Sequence, residues 1–210
     1  MNELFFTNFD TAADAITKDI AELIEELSNE NGKVVFAVGG GRTPRLIFPR
    51  LARQNLPWCK VTVTLTDERR VPTGHSHSNE NLVRAKLLKG NASEAKFESL
   101  SDEPMSNSRP DIVYLGFGED GHVASLFPNG DECGAEHMGV VATGTKSAPY
   151  DRLSLTMPTL LSSRHIFIIV SGAGKNRVYE CARDKIEGAG LPLAHILRQS
   201  FTPVSVYVHR

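Results

Sequence analysis

The sequence predicts the α/β class: a mainly parallel sheet with helices on both faces, in one domain spanning residues 1–210. Three observations carry this. Short apolar runs alternate with longer segments whose apolar residues recur every three or four positions. Glycines and charged residues cluster directly after the apolar runs, at the strand ends where open α/β sheets bind ligands. The chain has 210 residues, 40% hydrophobic and 23% charged, which suits one core of this architecture.

The elements follow in order. Asp10 or Thr11 is expected to cap a helix running to about Asn31, with Ile16, Ile20, Leu23, Ile24 and Leu27 as its apolar stripe and Asn31-Gly32 as its stop. Lys33 to Val38 reads as a buried strand. Gly39 to Thr43 is a loop, and Pro44 suits the first turn of a helix to about Arg53. Val61 to Leu65 is the next strand, followed by a polar loop from Thr66 to His77 and a helix near Ser78 to Leu88. Residues 90–109 are a polar connector, and Ile112 to Leu115 is a strand. Residues 129–150 read as loop, Leu153 to Met157 alternates like a strand, and Ile166 to Val170 is wholly apolar. A helix from the Gly172–Gly174 turn to about Glu187, a short helix near Leu193 to Arg198 and a last strand, Val204 to Val208, complete the chain.

Composition narrows the function. The formal net charge is −2 and the basic residues are scattered, so neither a nucleic acid nor a membrane surface is the expected partner. Cys59, Cys133 and Cys181 are odd in number and widely spaced, which suits reduced thiols in the cytoplasm rather than a disulfide frame or a zinc site. The N-terminus lacks the pattern of a signal peptide, and no run approaches a membrane span.

The stretch Asp111 to Gly130, DIVYLGFGEDGHVASLFPNG, says most about chemistry. Gly116-x-Gly118-x-x-Gly121 matches the dinucleotide fingerprint, but that fingerprint needs a long helix starting at its third glycine. Here Pro128, Asn129 and Gly130 stop any helix within about two turns, and two acids stand where a pyrophosphate would have to come. The same two acids, Glu119 and Asp120, precede His122. An imidazole with a pKa near ~6.5 suits proton transfer at neutral pH, and Asp120 can orient it if the turn folds back. The alternative is a glycine-rich turn with a surface histidine.

Three further loops join it. In VGGGRTP, Gly40 and Gly41 let backbone N–H groups approach an anion at a helix N-terminus, Arg42 adds forked donors and Thr43 a hydroxyl. The Walker A spacing is missing, so a single phosphate on a small sugar fits better than a nucleotide; a plain tight turn is the alternative. In TDERRVPTGHSHSNENL, Asp67 and Glu68 follow a strand, and Arg69 and Arg70 can bind phosphate or pair with those acids. His75-x-His77 lacks a third ligand at metal spacing, so a solvated loop is the expected reading and no metal is assigned. In SGAGK, Lys175 can close a phosphate site or be simply solvated. Four such loops after four strands favour a sugar-phosphate enzyme over a scaffold.

At VGGGRTP, TDERRVP with HSNENL, LGFGEDGHVASLFP, and RLSLT with IIVSGAGK, the chain resembles the 6-phosphogluconolactonases of the pentose phosphate pathway. The resemblance spans roughly residues 34–176. It implies a Rossmann-like fold similar to sugar-phosphate isomerase and deaminase relatives, hydrolysis of 6-phospho-D-glucono-1,5-lactone, and no cofactor. By position it implies His122 as general base with Asp120 as its acidic companion. It implies Arg69 and Lys175 as phosphate ligands, and Gly40, Gly41 and Thr43 as the phosphate-side loop. Position 42, often a small hydroxyl residue in the family, is Arg42 here, Gly39 often corresponds to a serine, and the 90–109 connector is shorter than usual. The glucosamine-6-phosphate deaminases share a G-x-G-x-D-G-H turn but follow it with an Asn-Glu-Pro segment, where this chain has Ala124 to Pro128. Sugar-phosphate sensors of similar fold carry a helix-turn-helix, whereas the first 32 residues here hold one helix. Oligomeric state is left open, with a monomer preferred.

Overall fold

The computed structural model describes residues 1–101, 109–144 and 149–210. In chain order its strands are β1 (Asn2–Phe6), β2 (Val34–Val38), β3 (Val61–Leu65), β4 (Asp67–Arg69), β5 (Lys96–Phe97), β6 (Ile112–Tyr114), β7 (Val140–Thr143), β8 (Arg152–Leu155), β9 (His165–Ser171) and β10 (Val204–His209). Its α-helices are α1 (Phe9–Asn31), α2 (Pro44–Leu51), α3 (Asn79–Lys86), α4 (Met157–Leu161), α5 (Ala173–Asp184) and α6 (Pro192–Arg198).

Seven strands form one sheet in the order β1-β10-β9-β6-β2-β3-β5, and every pairing in it is parallel. Side chains alternate between the two faces of a strand, yet β2 is buried at all five positions. Both faces of the sheet are therefore covered there, as a parallel sheet requires. Helix α1 supplies part of the cover. Its Ile16, Ile20 and Ile24 are fully buried, and each such side chain contributes about 1.5–3 kcal/mol. Asn8, two residues before the nearer of the expected caps, starts this helix. Asn8 is extended and its side-chain oxygen accepts from the amides of Asp10 and Thr11, so those two residues already lie inside the first turn. Gly32 ends the helix at φ +71°.

Several strands depart from the sequence expectation because their partners are remote in the chain. The expected loops at 66–77 and 129–150 each contain a strand. With β8 these build a small antiparallel sheet in the order β4-β8-β7, in which Asp67 faces Ser154 and Arg69 faces Arg152. Strand β4 has the sequence Asp-Glu-Arg and carries no apolar signal; pairing with β8 makes it a strand. Strand β1, absent from the sequence expectation, docks beside β10 at the sheet edge, and β5 arises inside the expected connector. The expected strand to Met157 stops at Leu155, because Thr156 turns to cap α4 through the amide of Thr159. Helix α5 ends at Asp184 rather than near Glu187, and a 3₁₀ turn, Ile186–Gly188, follows. Residues 102–108 of the expected connector and 145–148 of the expected loop lie outside the described residues. Among the described residues, no helix is long and apolar enough to cross a membrane.

Candidate active site

The strand order places the site. From β2 the chain moves outward to β3 and β5, then returns to lay β6 on the other flank of β2. Loops leaving β2 and β6 therefore diverge, and a crevice opens at their carboxyl ends. A cleft of about 810 Å³ occupies this position, lined by the loops after β2, β3, β6 and β9. Gly40, Gly41, Arg42, Thr43, Arg69, His122 and Lys175 all line it. Asp120, the remaining expected residue, stands behind His122.

The glycine turn folds back on itself. The Gly118 amide donates to the His122 carbonyl at 2.8 Å, and the Gly121 amide to the Gly118 carbonyl at 3.1 Å. No helix begins at Gly121, in line with the rejection of a dinucleotide fingerprint. The fold-back sets Nδ1 of His122 2.6 Å from Oδ1 of Asp120. The carboxylate accepts, so Nδ1 carries the proton and Nε2 is left with its lone pair. Gly118 makes this contact possible: a Cβ there would lie 2.2 Å from Asp120 Oδ1 and 2.3 Å from His122 Nδ1. Burial pushes the His122 imidazole below the ordinary histidine value; the Asp120 charge and hydrogen bond oppose it without cancelling it. His122 is thus neutral, and able to accept a proton, at pH 7.

Cations stand on two sides. Lys175, at the start of α5, is half-buried with Nζ 4.3 Å from the centre of the Phe117 ring. Burial lowers its pKa first of all, Glu119 opposes this, and Arg42 adds to it. On the small sheet, Arg69 and Arg152 are directly opposed across β4 and β8. Like charges so placed repel, which favours an anion between or before them. Among the described residues, neither buried Nε atom has a protein partner.

Several residues have roles that local sequence does not reveal. Glu68, expected at the binding edge, instead caps α3: its carboxylate accepts from the amides of Asn79 and Glu80 and from the Ser78 hydroxyl. Asn79 lies against the Gly40–Thr43 loop, so close that a Cβ at Gly40 would fall 1.9 Å from its Oδ1. Asp67 is 5% exposed, lines the cleft, and accepts from the hydroxyls of Ser125 at 2.7 Å and Thr66 at 3.2 Å. Arg152 also lines the cleft. It opens the RLSLT segment that carries part of the family resemblance, but the sequence assigns it no site role. His75 and His77 pack edge to face with each other and with Tyr150, and among the described residues no cluster of ligating side chains fits a metal.

Known proteins resemble this chain along nearly its whole length. The family model for glucosamine-6-phosphate isomerases/6-phosphogluconolactonase matches residues 7–204. A 6-phosphogluconolactonase from Rhizobium meliloti is 33% identical over an alignment covering 98% of this chain and 97% of that protein. One from Caulobacter vibrioides is 36% identical, covering 84% and 83%. The crystal structure of a 6-phosphogluconolactonase from Shewanella baltica superposes with a TM-score of 0.92 at 31% identity, covering 100% of this chain and 98% of that one. A monomeric glucosamine-6-phosphate deaminase, 18% identical with a TM-score of 0.74 over 98% and 97% of the two chains, shares the fold.

Proposed function

The chain belongs to the glucosamine-6-phosphate isomerase/6-phosphogluconolactonase family, and from that premise we propose that it hydrolyses 6-phospho-D-glucono-1,5-lactone to 6-phospho-D-gluconate in the oxidative pentose phosphate pathway, with His122 as general base. One observation carries the reading: an imidazole, held by Asp120 through Nδ1, on the wall of a cleft flanked by cations at the sheet's switch point.

The chemistry follows from the groups present. The phosphate is a handle remote from C1; Arg42, Thr43, Arg69, Lys175 and the Gly40–Gly41 backbone hold it and orient the ring. Nε2 of His122 takes a proton from water as the water oxygen attacks C1. The carbonyl electron pair moves onto its oxygen. When the carbonyl reforms, the C1 to ring-oxygen bond breaks, and His122 returns the proton to the departing ring oxygen. Asp120 holds the imidazole and stabilises the transient imidazolium. Positioned proton transfer of this kind contributes ~10²–10⁴-fold.

The test is turnover of freshly generated 6-phosphogluconolactone, corrected for spontaneous hydrolysis. Enzyme-dependent hydrolysis is the expected result. Its absence, or release of ammonia from glucosamine 6-phosphate in its place, would overturn the proposal.

A further inference from the structure

The phosphate alone does not account for cations on both sides of the cleft. The substrate has one permanent negative group and one that forms only during reaction, at the C1 oxygen. Building on the lactonase reading, we propose that Arg152 is the cation that stabilises the C1 oxyanion, and that Ser125 is the positioning residue that keeps its charge available.

His122 fixes the side on which C1 must lie, because the proton acceptor has to reach the attacking water. The His122 ring packs against Phe127, with centroids 4.8 Å apart, and the Arg152 guanidinium lies over the same ring at 5.4 Å. Imidazole and guanidinium therefore share one wall. The Arg152 charge is also felt at His122, whereas the cation felt at Lys175 is Arg42. Arg152 is thus a neighbour of His122 on that wall, and Lys175 and Arg42 are neighbours of each other in the same lining. Of the two opposed arginines, Arg69 commits Nη1 to the His77 carbonyl at 2.8 Å. Among the described residues, Arg152 makes one hydrogen bond, a long 3.4 Å contact from Nη1 to Ser125 Oγ, and its Nε is buried without a protein partner.

Ser125 explains why this charge is not already neutralised. Asp67 is the nearby buried acid, and its Oδ2 accepts from the Ser125 hydroxyl at 2.7 Å. The Ser125 oxygen in turn accepts from Arg152. One hydroxyl therefore stands between carboxylate and guanidinium, and among the described residues the two form no ion pair. Ser125 is fully buried, and its amide donates to Ser154 Oγ at 3.1 Å. It follows Ala124, whose φ of +50° is a left-handed conformation that a non-glycine residue adopts only when its surroundings impose it. The hydroxyl is held in place from both sides. As water adds to C1, the carbonyl pair becomes an oxyanion, and a forked guanidinium with a single long hydrogen bond in a half-buried site stabilises it. When the pair returns and the ring oxygen leaves, the contact relaxes.

The experiment uses the whole protein with fresh 6-phosphogluconolactone as substrate and inorganic phosphate as competing probe. Arg152→Ala should lower kcat by about 10²–10³-fold, the cost of losing an oxyanion donor. Inhibition by phosphate should stay within about threefold, and added methylguanidinium should recover about tenfold of the rate. Ser125→Ala should lower kcat with phosphate inhibition unchanged, and the double variant should be no worse than Arg152→Ala alone, because both changes act through one group. Should Arg152→Ala fail to fold, Arg152→Lys tests the same point: a kcat loss of about tenfold or more with phosphate inhibition retained supports the assignment. A kcat within about fivefold of the unaltered protein, or a loss confined to KM with weakened phosphate inhibition, would overturn it. Additive losses in the double variant would remove Ser125 from it. Absence of turnover in the unaltered protein would instead overturn the lactonase reading itself.

Discussion

Gly118→Ala would break the proposed proton-transfer pair, Asp120 and His122, without altering either of its members. The backbone at Gly118 has no left-handed φ, so alanine brings no intrinsic strain, and the amide can still donate to the His122 carbonyl. The new methyl is the whole perturbation. It would sit 2.2 Å from Asp120 Oδ1 and 2.3 Å from both Nδ1 and Cε1 of His122. Carbon cannot approach so closely, so carboxylate and imidazole must move apart and the 2.6 Å contact between them is lost. A hydrogen bond to a charged group contributes about 1.5–3 kcal/mol; lost from the transition state, that is about ten- to a hundredfold in kcat. Steady-state lactone hydrolysis measures this, with far-UV circular dichroism and a thermal melt to establish folding. Gly134→Ala is the control, since a Cβ there meets nothing within 4 Å, and it should leave kcat unchanged. Full activity in a folded Gly118→Ala protein would refute the claim that the Asp120–His122 contact is used.

Two further perturbations separate the parts of the site. In Asp120→Asn, both contributions that Asp120 makes to raising the His122 pKa disappear while burial, which lowers it, remains. The acid limb of kcat/KM should therefore move to lower pH while its plateau falls; an upward shift would contradict the assignment. Lys175→Ala should weaken inhibition by 6-phosphogluconate by about ten- to a hundredfold, the loss of one charge-assisted contact, and leave inhibition by gluconate nearly unchanged. Equal losses for both ligands would show that Lys175 does not read the phosphate.

What is legible in the sequence, and what is not, divides along physical lines. Strands β2, β6 and β9 announce themselves because a strand buried on both faces is apolar along its buried run, and β3 does so by alternating valine with threonine. The loops after them are legible as well, since glycine and charge directly after such a run have few other uses. The small sheet is not legible. Asp67-Glu68-Arg69 is a strand only because β8 lies beside it, and that register alone sets Arg152 against Arg69. Local pattern also misplaces carboxylates. Glu68 and Asp67 are neighbours of the same charge, yet one turns to the amides of α3 and the other into the cleft. Asn79 reads as a helix-start residue, but it also lies against the loop at Gly40. Alternation along a strand and distant pairing decide these outcomes, and neither is visible in a window of a few residues.

In the proposed mechanism His122 takes the proton from the attacking water. The most direct test is the kcat of His122→Ala on freshly generated 6-phosphogluconolactone, corrected for spontaneous hydrolysis and measured on protein shown to be folded. The predicted result is a fall of at least ~10²-fold. A kcat within about fivefold of the unaltered protein would contradict the account and move the general base elsewhere in the cleft.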